Sequence, residues 1–335
     1  MNGKPKHLLL VFLGMAMVLV SRGHVARSQL NATGRAMTPQ DLLTLQAIRE
    51  TVFSPDGKWL AVVIERPKKV GESYERGYIR GLERCDVWLA SSDGKKLINV
   101  TRGEVIHAGY WNPVWSPDSK RLAMVSTRGD NVRAYIYDLK TQQLRACLSE
   151  GVDLGMQIET SDSNASAMAW FGANQLLMGV LPSGTRPLAM DETERTLRIS
   201  AKAMDDVKRG RGVTASILDT EGIDLSAVQQ KNVTLSLVDV VTGRARVLTR
   251  IPLIETRLSQ RIVSISPDRT YAAILATDYP NVVSSERRPG TEDITRLRLG
   301  VANLKKTNET PAWVRNVQPA SFGLAVLPTS IRWAP

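Results

Sequence analysis

Serine, aspartate and histidine are the residues that a hydrolytic triad needs, and one phrase repeatedly brings the first two together. Ser-Pro-Asp occurs at residues 54–56, 116–118 and 266–268. A triad also needs a histidine as general base, and an α/β-hydrolase carries its nucleophile in a G-x-S-x-G turn with the histidine later in the chain. The sequence has no G-x-S-x-G, and its histidines are His7, His24 and His107. We therefore predict that this chain holds no catalytic residues.

No other spacing of reactive residues indicates a cofactor or a metal. The sequence contains no C-x-x-C, no H-E-x-x-H, no calcium-loop motif and no glycine-rich nucleotide motif. His107 stands alone in GEVIHAGYWNP and is expected to belong to a connection between strands. The basic run KRGRG at 208–212 has no aromatic residue nearby, so nucleic-acid binding is not expected. The prediction is no cofactor-binding residue, no metal ligand and no nucleic-acid partner.

Short apolar strands must hold the repeated phrase in place. Copies span 51–65 (TVFSPDGKWLAVVIE), 112–126 (NPVWSPDSKRLAMVS) and 263–277 (VSISPDRTYAAILAT). Proline presets the second position of a turn, and Asp followed by Gly or Ser suits the next positions. Apolar residues lie on both sides, so each copy predicts two antiparallel strands joined by a tight hairpin. Because a lone hairpin cannot bury its apolar faces in water, the copies must pack on one another.

A second strand pair follows each hairpin, most clearly in DVWLASSDGKKLINVT at 86–101. A degenerate hairpin, with FGAN in place of SPDS, is expected within 167–184. Four strands per unit in tandem are typical of β-propeller blades. We predict an all-β, incomplete β-propeller over residues 51–335. Four four-stranded blades are expected at 51–101, 112–148, 167–249 and 262–306, with the start of a fifth at 321–335.

Two segments stand outside this pattern. Residues 186–231 form a polar, partly helix-favouring insertion in the third blade, and 284–293 form a smaller loop in the fourth. Function tends to lie on long insertions, although a solvated excursion is the favoured interpretation. Cys85 and Cys147 fall in different blades. Two unpaired, partly buried thiols are favoured, and a bridge between them stays open as an alternative.

From MTPQDLL onward, the chain resembles a known family. The strings MTPQDLLTLQAIRETVFSPDGKWLAVV, DVWLASSDGKKLINVT and PVWSPDSKRLAMVSTRGD resemble the amino-terminal half of prolyl oligopeptidase family serine peptidases. The acylaminoacyl-peptidase and dipeptidyl-aminopeptidase branches are the most similar. The resemblance implies a propeller that restricts access to an α/β-hydrolase domain carrying the triad. Some relatives also hold a substrate amine with paired propeller glutamates, but no motif places such a pair here.

This resemblance sets the expected function. We expect the non-catalytic, substrate-gating propeller portion of a secreted prolyl oligopeptidase-like peptidase, truncated before its hydrolase domain. The alternative is a periplasmic TolB-type propeller scaffold that acts through protein–protein binding, because such propellers share the Ser-Pro-Asp-Gly hairpin. The expected partners are a peptide substrate or a protein, including a separate hydrolase domain. With the ring incomplete, the outer faces of the first and fourth blades are expected to be partly uncovered, which favours self-association.

The amino terminus predicts export. A basic start, MNGKPKH, precedes thirteen apolar residues at 8–20. That length suits a signal peptide rather than a stable membrane span. Cleavage is expected after residue 28, giving a periplasmic or extracellular protein, with an uncleaved anchor as the alternative. Residues 29–50 are then a linker with a short helix, in which Thr38 is the N-cap and Pro39 lies in the first turn.

Overall fold

The computed structural model describes residues 36–67, 81–129, 131–160, 163–211, 231–253, 261–278, 296–317 and 333. The chain divides into two units, residues 1–43 and 44–335. Helix α1 (Pro39–Thr44) has no buried residue. The amide and the hydroxyl of Thr38 both donate to Asp41 Oδ2, at 2.7 and 2.8 Å. The expected short amino-terminal helix is confirmed, whereas the expected signal peptide and loop 284–293 lie outside the described residues.

The first two sheets are antiparallel meanders whose spatial order follows the sequence. Both agree with the four-stranded blades that the repeats predict. The first blade consists of β1 (Ala47–Phe53), β2 (Trp59–Glu65), β3 (Cys85–Ser91) and β4 (Leu97–Asn99). The second blade consists of β5 (Tyr110–Trp115), β6 (Arg121–Ser126), β7 (Arg133–Asp138) and β8 (Gln143–Ala146).

The second half of the chain adds two further sheets and one long helix. A hairpin of β9 (Met156–Thr160) and β10 (Ser163–Ser166) comes first. The third blade consists of β11 (Met168–Trp170), β12 (Gln175–Val180), β13 (Lys231–Asp239) and β14 (Ala245–Leu253), with helix α2 (Leu188–Lys208) between β12 and β13. The fourth blade consists of β15 (Arg261–Ile265), β16 (Tyr271–Asp278), β17 (Arg296–Asn303) and β18 (Ala312–Val317). The predicted all-β propeller arrangement is confirmed.

The fourth sheet has six strands rather than the four expected. β9 pairs in parallel with β15, and β10 pairs with β9. One residue after β10 the chain enters β11, so the segment 163–170 serves two sheets in succession. Met156 and Ile158 of β9 are fully buried and belong to the same apolar cluster as the third and fourth blades. Residues 149–166 lack the Ser-Pro-Asp phrase, so the repeat pattern does not predict this hairpin.

A buried ion pair fixes the connection before β9 to the fourth blade. Arg261 donates from Nε and Nη2 to the two carboxylate oxygens of Asp153, at 2.8 and 2.7 Å. The two side chains are 4% and 6% exposed. The Arg261 amide also donates to the Gly155 carbonyl at 2.9 Å. Because the bidentate geometry uses both carboxylate oxygens, the charges are compensated despite their burial.

The side chains of the Ser-Pro-Asp phrase form hydrogen bonds that close the hairpin turn. In the first copy the Ser54 hydroxyl donates to Asp56 Oδ1 at 2.7 Å, and the Lys58 amide donates to the same oxygen at 3.1 Å. The Trp59 amide donates to Ser54 Oγ at 2.9 Å. The side chains therefore close the hairpin in the manner expected of Ser and Asp in turns. The same contacts recur at Ser116–Asp118 and Ser266–Asp268.

Tryptophans at equivalent positions join successive blades. The Trp115 indole donates to the Val52 carbonyl of the first blade at 3.0 Å. The Trp170 indole donates to the Val114 carbonyl of the second blade at 2.8 Å. Both rings are about 5–6% exposed and lie in one apolar cluster that joins the first three blades. The pattern explains why each copy of the hairpin carries an aromatic or large aliphatic residue just before its turn.

Candidate functional site at the loop end of the blades

Each blade has a turn end and a loop end. The turn end carries the two tight turns, which join the first strand to the second and the third strand to the fourth. The loop end carries the connection between the second and third strands of the blade and the link to the next blade. Binding residues concentrate on loops that a rigid scaffold positions. We define the loop end by its described segments, which are 66–67, 81–84, 100–109, 127–129, 131–132, 147–155 and 181–187.

Glutamate–arginine pairs order the loop end of the first blade. Glu65, at the end of β2, accepts from Arg49 of β1 and from Arg84 of the short 3-10 helix Leu82–Arg84. Glu83 is 2% exposed, and its Oε2 accepts the Gly81 amide at 2.8 Å. These contacts hold the chain on both sides of segment 68–80 at a fixed separation.

A second ion pair joins the first blade to the start of the second. Arg66 donates to Asp86 at 2.8 Å and also to the carbonyls of Glu83 and Ala108, at 3.1 and 3.3 Å. Asp86 Oδ1 accepts the Thr101 hydroxyl and the Gly103 amide, both at 2.6 Å. The connection 100–109 is thus bound to the first blade at Thr101, Gly103 and Ala108.

Gly109 shows how closely the two blades approach at this end. A Cβ atom at Gly109 would lie 1.9 Å from the Leu82 carbonyl oxygen, a distance that no side chain tolerates. The Gly109 amide donates to the Thr127 hydroxyl at 3.0 Å. Glycine is therefore required where the link enters β5, because the backbone itself contacts the 3-10 helix.

A polar chain joins the first strands of the first two blades to the segment between β10 and β11. Glu50 of β1 accepts the Asn112 amide of β5 at 3.1 Å. Asn112 adopts φ 54°, and its Oδ1 accepts the Ser166 hydroxyl and the Ala167 amide at 2.9 and 3.0 Å. Burial raises the pKa of Glu50 above its ordinary value, and the hydrogen bonds from Asn112 oppose that rise. Burial therefore makes Glu50 harder to ionise than an exposed glutamate.

A cleft of about 690 Å³ opens between the second and third blades. Its polar walls come from Arg133, Ser149, Thr234 and Ser236. Cys147 also lines it, but burial raises the pKa of this thiol to about 11. A neutral thiol is a poor nucleophile, so the cleft offers hydrogen bonds and no nucleophilic sulfur.

Both cysteines are free and buried. Burial raises the pKa of Cys85 to about 12, and the nearby Glu65 carboxylate adds to the rise. The thiols lie in different blades, as their positions in the repeats indicated. The favoured interpretation, two unpaired and buried thiols, is what the structure shows.

The insertion at 186–231 contains α2, which is anchored at its start. Arg186 pairs with Glu194 at 2.5 Å, and Asn131 donates to the Thr185 carbonyl at 2.9 Å. Met190 is fully buried. Further along, the helix becomes exposed, with Ile199, Met204 and Val207 at 58%, 60% and 53%. The first half of the insertion is therefore a helix fixed at the loop end, while residues 212–230 lie outside the described part.

The remaining sequence candidates show no chemical grouping. His107 is exposed on the connection to the second blade and adopts φ 52°. Among the described residues, no three His, Cys, Asp or Glu side chains are grouped so as to hold a metal ion. In the same residues, no helix has both the length and the apolar composition to cross a membrane. Sequence reasoning missed the Glu50–Asn112–Ser166 chain, because Asn112 reaches its partners through a bulge in β5 that no motif announced.

Comparison with known proteins gives one sequence relative and several structural ones. No family model matches the chain. Dipeptidyl-peptidase 5 of Porphyromonas gingivalis is 24% identical over 123 residues, which are 37% of this chain and 16% of that relative. This match confirms the resemblance to prolyl oligopeptidase-type peptidases that the hairpin motifs indicate.

Solved structures with a related shape include peptidase chains. Pyrococcus horikoshii acylaminoacyl peptidase aligns over 82% of this chain and 33% of its own, with 12% identity and a TM-score of 0.41. The β-propeller domain of the Trilobed protease from Pyrococcus furiosus aligns over 77% of this chain and 54% of its own, with 10% identity and a TM-score of 0.37.

Proposed function

We propose that this chain is the non-catalytic, substrate-gating propeller of a prolyl oligopeptidase-like serine peptidase. The observation that carries the proposal is the 123-residue match to dipeptidyl-peptidase 5. It agrees with the absence of a G-x-S-x-G motif and of any histidine after residue 107. The catalytic serine is then supplied by an α/β-hydrolase domain, on the same gene product or on a separate chain.

The loop end supports a gating role through its rigidity. Glu65, Asp86 and Asp153 all bind arginines there, and the link 100–109 is tied to the first blade. An entrance at the loop end then excludes substrates by size, because it cannot widen without breaking these ion pairs and hydrogen bonds. The hydroxyls, amides and backbone groups of this end then hold an extended peptide by hydrogen bonds, while the reaction takes place on the hydrolase domain.

We also propose export to the periplasm or the extracellular space. The basic start followed by an apolar segment at 8–20 supports a cleaved leader. Amino-terminal sequencing of the mature protein is expected to begin at Gln29. Recovery of an intact Met1 from a cytosolic fraction would contradict this part of the proposal.

Immunoprecipitation from the native host, combined with a fluorophosphonate probe, tests the gating proposal. The purified chain alone is expected to show no labelled serine. The native precipitate is expected to contain a labelled serine hydrolase, either on a larger polypeptide that includes this sequence or on a chain crosslinked to its loop end. In the experiment a photo-crosslinker is placed at the loop end. The matched control moves it to Lys140, in a hairpin turn of the turn end, where no crosslink to the hydrolase is expected.

Two results would contradict the proposal. Stoichiometric labelling of a serine in the purified chain would make the chain itself an enzyme. A native precipitate with a specific, loop-end-crosslinked protein and no fluorophosphonate-reactive partner would favour the TolB-type scaffold.

A further inference from the structure

The cleft between the second and third blades lies where the third blade carries small side chains at positions that are large in the second. The two blades align at a shared turn, in which Asp138 and Asp239 each accept the amide of the residue three positions later, at 2.9 and 2.7 Å. Counting back from these aspartates along the third strand of each blade, Ser236 of β13 is equivalent to Tyr135 of β7.

Both positions face the preceding blade. Ser236 lies on the same face of β13 as Val238, because alternate residues of a strand share a face. Val238 continues the cross-strand row that begins at Trp170, and Trp170 donates to the second blade. This face of the third blade is therefore turned toward the second. By the same reasoning, Tyr135 belongs to the face that carries Trp115 and is turned toward the first blade.

The smaller residues leave part of the interface between the two blades unfilled. The Tyr135 ring is 6% exposed and packs edge-on to Tyr110, with 5.7 Å between ring centroids. In the fourth strand, Leu144 of the second blade is likewise equivalent to Ala245 of the third. Ser236 and Ala245 both line the cleft of about 690 Å³. The cleft lies between two consecutive blades, so a blade added at either end of the four would not fill it.

The hydroxyls of the cleft wall are hydrogen-bonded in one direction. Ser236 is 1% exposed, and its hydroxyl donates to Thr234 Oγ1 at 3.0 Å. The Thr234 hydroxyl donates in turn to the Val180 carbonyl at 3.3 Å. Both hydroxyl protons are used within the wall, while the oxygen lone pairs still accept hydrogen bonds. A ligand that meets this wall must therefore bring a donor, such as a phenol O–H or an indole N–H.

Charged and apolar groups complete the lining. Arg133 and Glu150 are partly exposed residues of the cleft, and both are bonded to Ser149. Arg133 uses Nε to donate to the Ser149 carbonyl at 2.8 Å, and Glu150 uses Oε2 to accept the Ser149 hydroxyl at 2.9 Å. The Nη groups and Oε1 are a further donor set and a further acceptor, which complement a carboxylate and an ammonium. Leu148 and Val247 supply apolar surface.

We infer that the cleft binds an aromatic amino acid residue whose ring carries a donor, either free or within a short peptide. Its ring takes the place in the third blade that the Tyr135 ring holds in the second. The ring donor bonds to the hydroxyl oxygens of Ser236 and Thr234, while Glu150 and Arg133 hold the amino and carboxyl ends. The inference goes beyond the proposed function and does not rest on it.

Ligand-observed NMR titration of the purified chain tests the class of ligand. The peptide Gly-Tyr-Gly is expected to bind with a Kd on the order of 1 mM, as suits so small a ligand. Gly-Phe-Gly lacks the ring donor and is expected to bind about two- to tenfold more weakly. Gly-Leu-Gly is expected to show no saturable binding. Free L-tryptophan is titrated alongside, and its affinity relative to Gly-Tyr-Gly distinguishes a free amino acid from a peptide.

Two variants of Ser236 test the location. S236Y fills the cleft with the residue of the second blade, and a loss of affinity of at least about tenfold is expected. S236A keeps the space but removes the acceptor, so binding is expected to weaken about two- to tenfold. The control T141Y adds a tyrosine at an exposed turn outside the cleft and is expected to bind like the parent chain. Thermal melts establish that the variants are folded.

Three results would overturn the inference. The first is a parent chain that binds neither Gly-Tyr-Gly nor L-tryptophan in a saturable way. The second is binding of Gly-Leu-Gly as tight as that of Gly-Tyr-Gly. The third is an affinity that stays unchanged in S236Y or in S236A.

Discussion

The first and second blades carry the same hairpin and differ in what covers one face. Phe53 and Trp115 occupy equivalent positions, yet Phe53 is 67% exposed and Trp115 is 6% exposed. The second blade has a neighbour on that side, the first blade, to which Trp115 donates a hydrogen bond. The repeated residue is therefore a packing residue. The stability that it contributes depends on whether another sheet covers that face of its blade.

Alanine substitution at these two positions is expected to give the largest difference in the free energy of unfolding. Trp115→Ala removes a buried aromatic ring and the bond to Val52, so the free energy of unfolding is expected to fall by about 3–5 kcal/mol. Phe53→Ala removes a mostly exposed ring, and a fall of less than about 1 kcal/mol is expected for the monomer. Urea unfolding at low protein concentration measures both. Equal losses at the two positions would show that the first blade is covered in solution by a sheet-like neighbour.

The first strands of the first and fourth blades differ in whether their outer edge is paired. In its sheet, β1 is an edge strand. β15 of the fourth blade pairs with β9 on its free side, and the Asp153–Arg261 pair holds the segment that leads into β9. Asp153→Ala leaves a buried, uncompensated guanidinium, so a loss of about 3 kcal/mol is expected.

The double variant D153L/R261M provides the control for that loss. It replaces the ion pair with apolar side chains and is expected to recover most of the stability, because no buried charge is left unpaired. Thermal melts of the single and double variants measure this. A double variant no more stable than D153A would show that the apolar pair does not replace the ion pair at this position.

Sequence reasoning predicts the blades well because their signals are local. The Ser-Pro-Asp turns and the aromatic residue before each turn are short-range patterns, and both have the predicted roles in the structure. The β9–β10 hairpin could not be predicted in this way, since its pairing with β15 joins segments about 100 residues apart. Nor could the Glu50–Asn112–Ser166 chain, because it depends on a bulge in β5 and on the end of β10 lying next to the first two blades.

A third, smaller effect is expected to be equal in the two blades. Ser54 and Ser116 are both buried and make the same bonds within their own turns. Ser54→Ala and Ser116→Ala are each expected to cost about 1 kcal/mol, the usual value of one hydrogen bond. Chemical denaturation of both variants measures this. A loss at Ser116 that is several times the loss at Ser54 would mean that the turns, like the faces, depend on the neighbouring blade.

The turn aspartates give the smallest effect, which appears as a dependence on pH. The Ser54 hydroxyl and the Lys58 amide lower the pKa of Asp56 below its ordinary 3.8. For Asp118, burial raises the pKa, but the Ser116 and Lys120 hydrogen bonds outweigh it and the net pKa is lowered. The pKa of Asp268 is lowered to about 2, chiefly by the Ser266 hydroxyl.

A carboxyl whose pKa is lower in the folded state stabilises the fold while the pH exceeds its unfolded pKa. That contribution is lost as the pH falls through the folded pKa. We therefore expect Asp56→Asn and Asp118→Asn to be less stable than the parent chain at pH 7. Each difference should shrink as the pH falls below 3.8, the ordinary pKa of aspartate, and urea midpoints measured at decreasing pH follow it. Because both aspartates act within their own turns, the two curves should coincide although one blade has an exposed face and the other does not. A difference that persists unchanged at pH 2 would show that the asparagine variants lose stability through turn geometry rather than through the carboxylate charge.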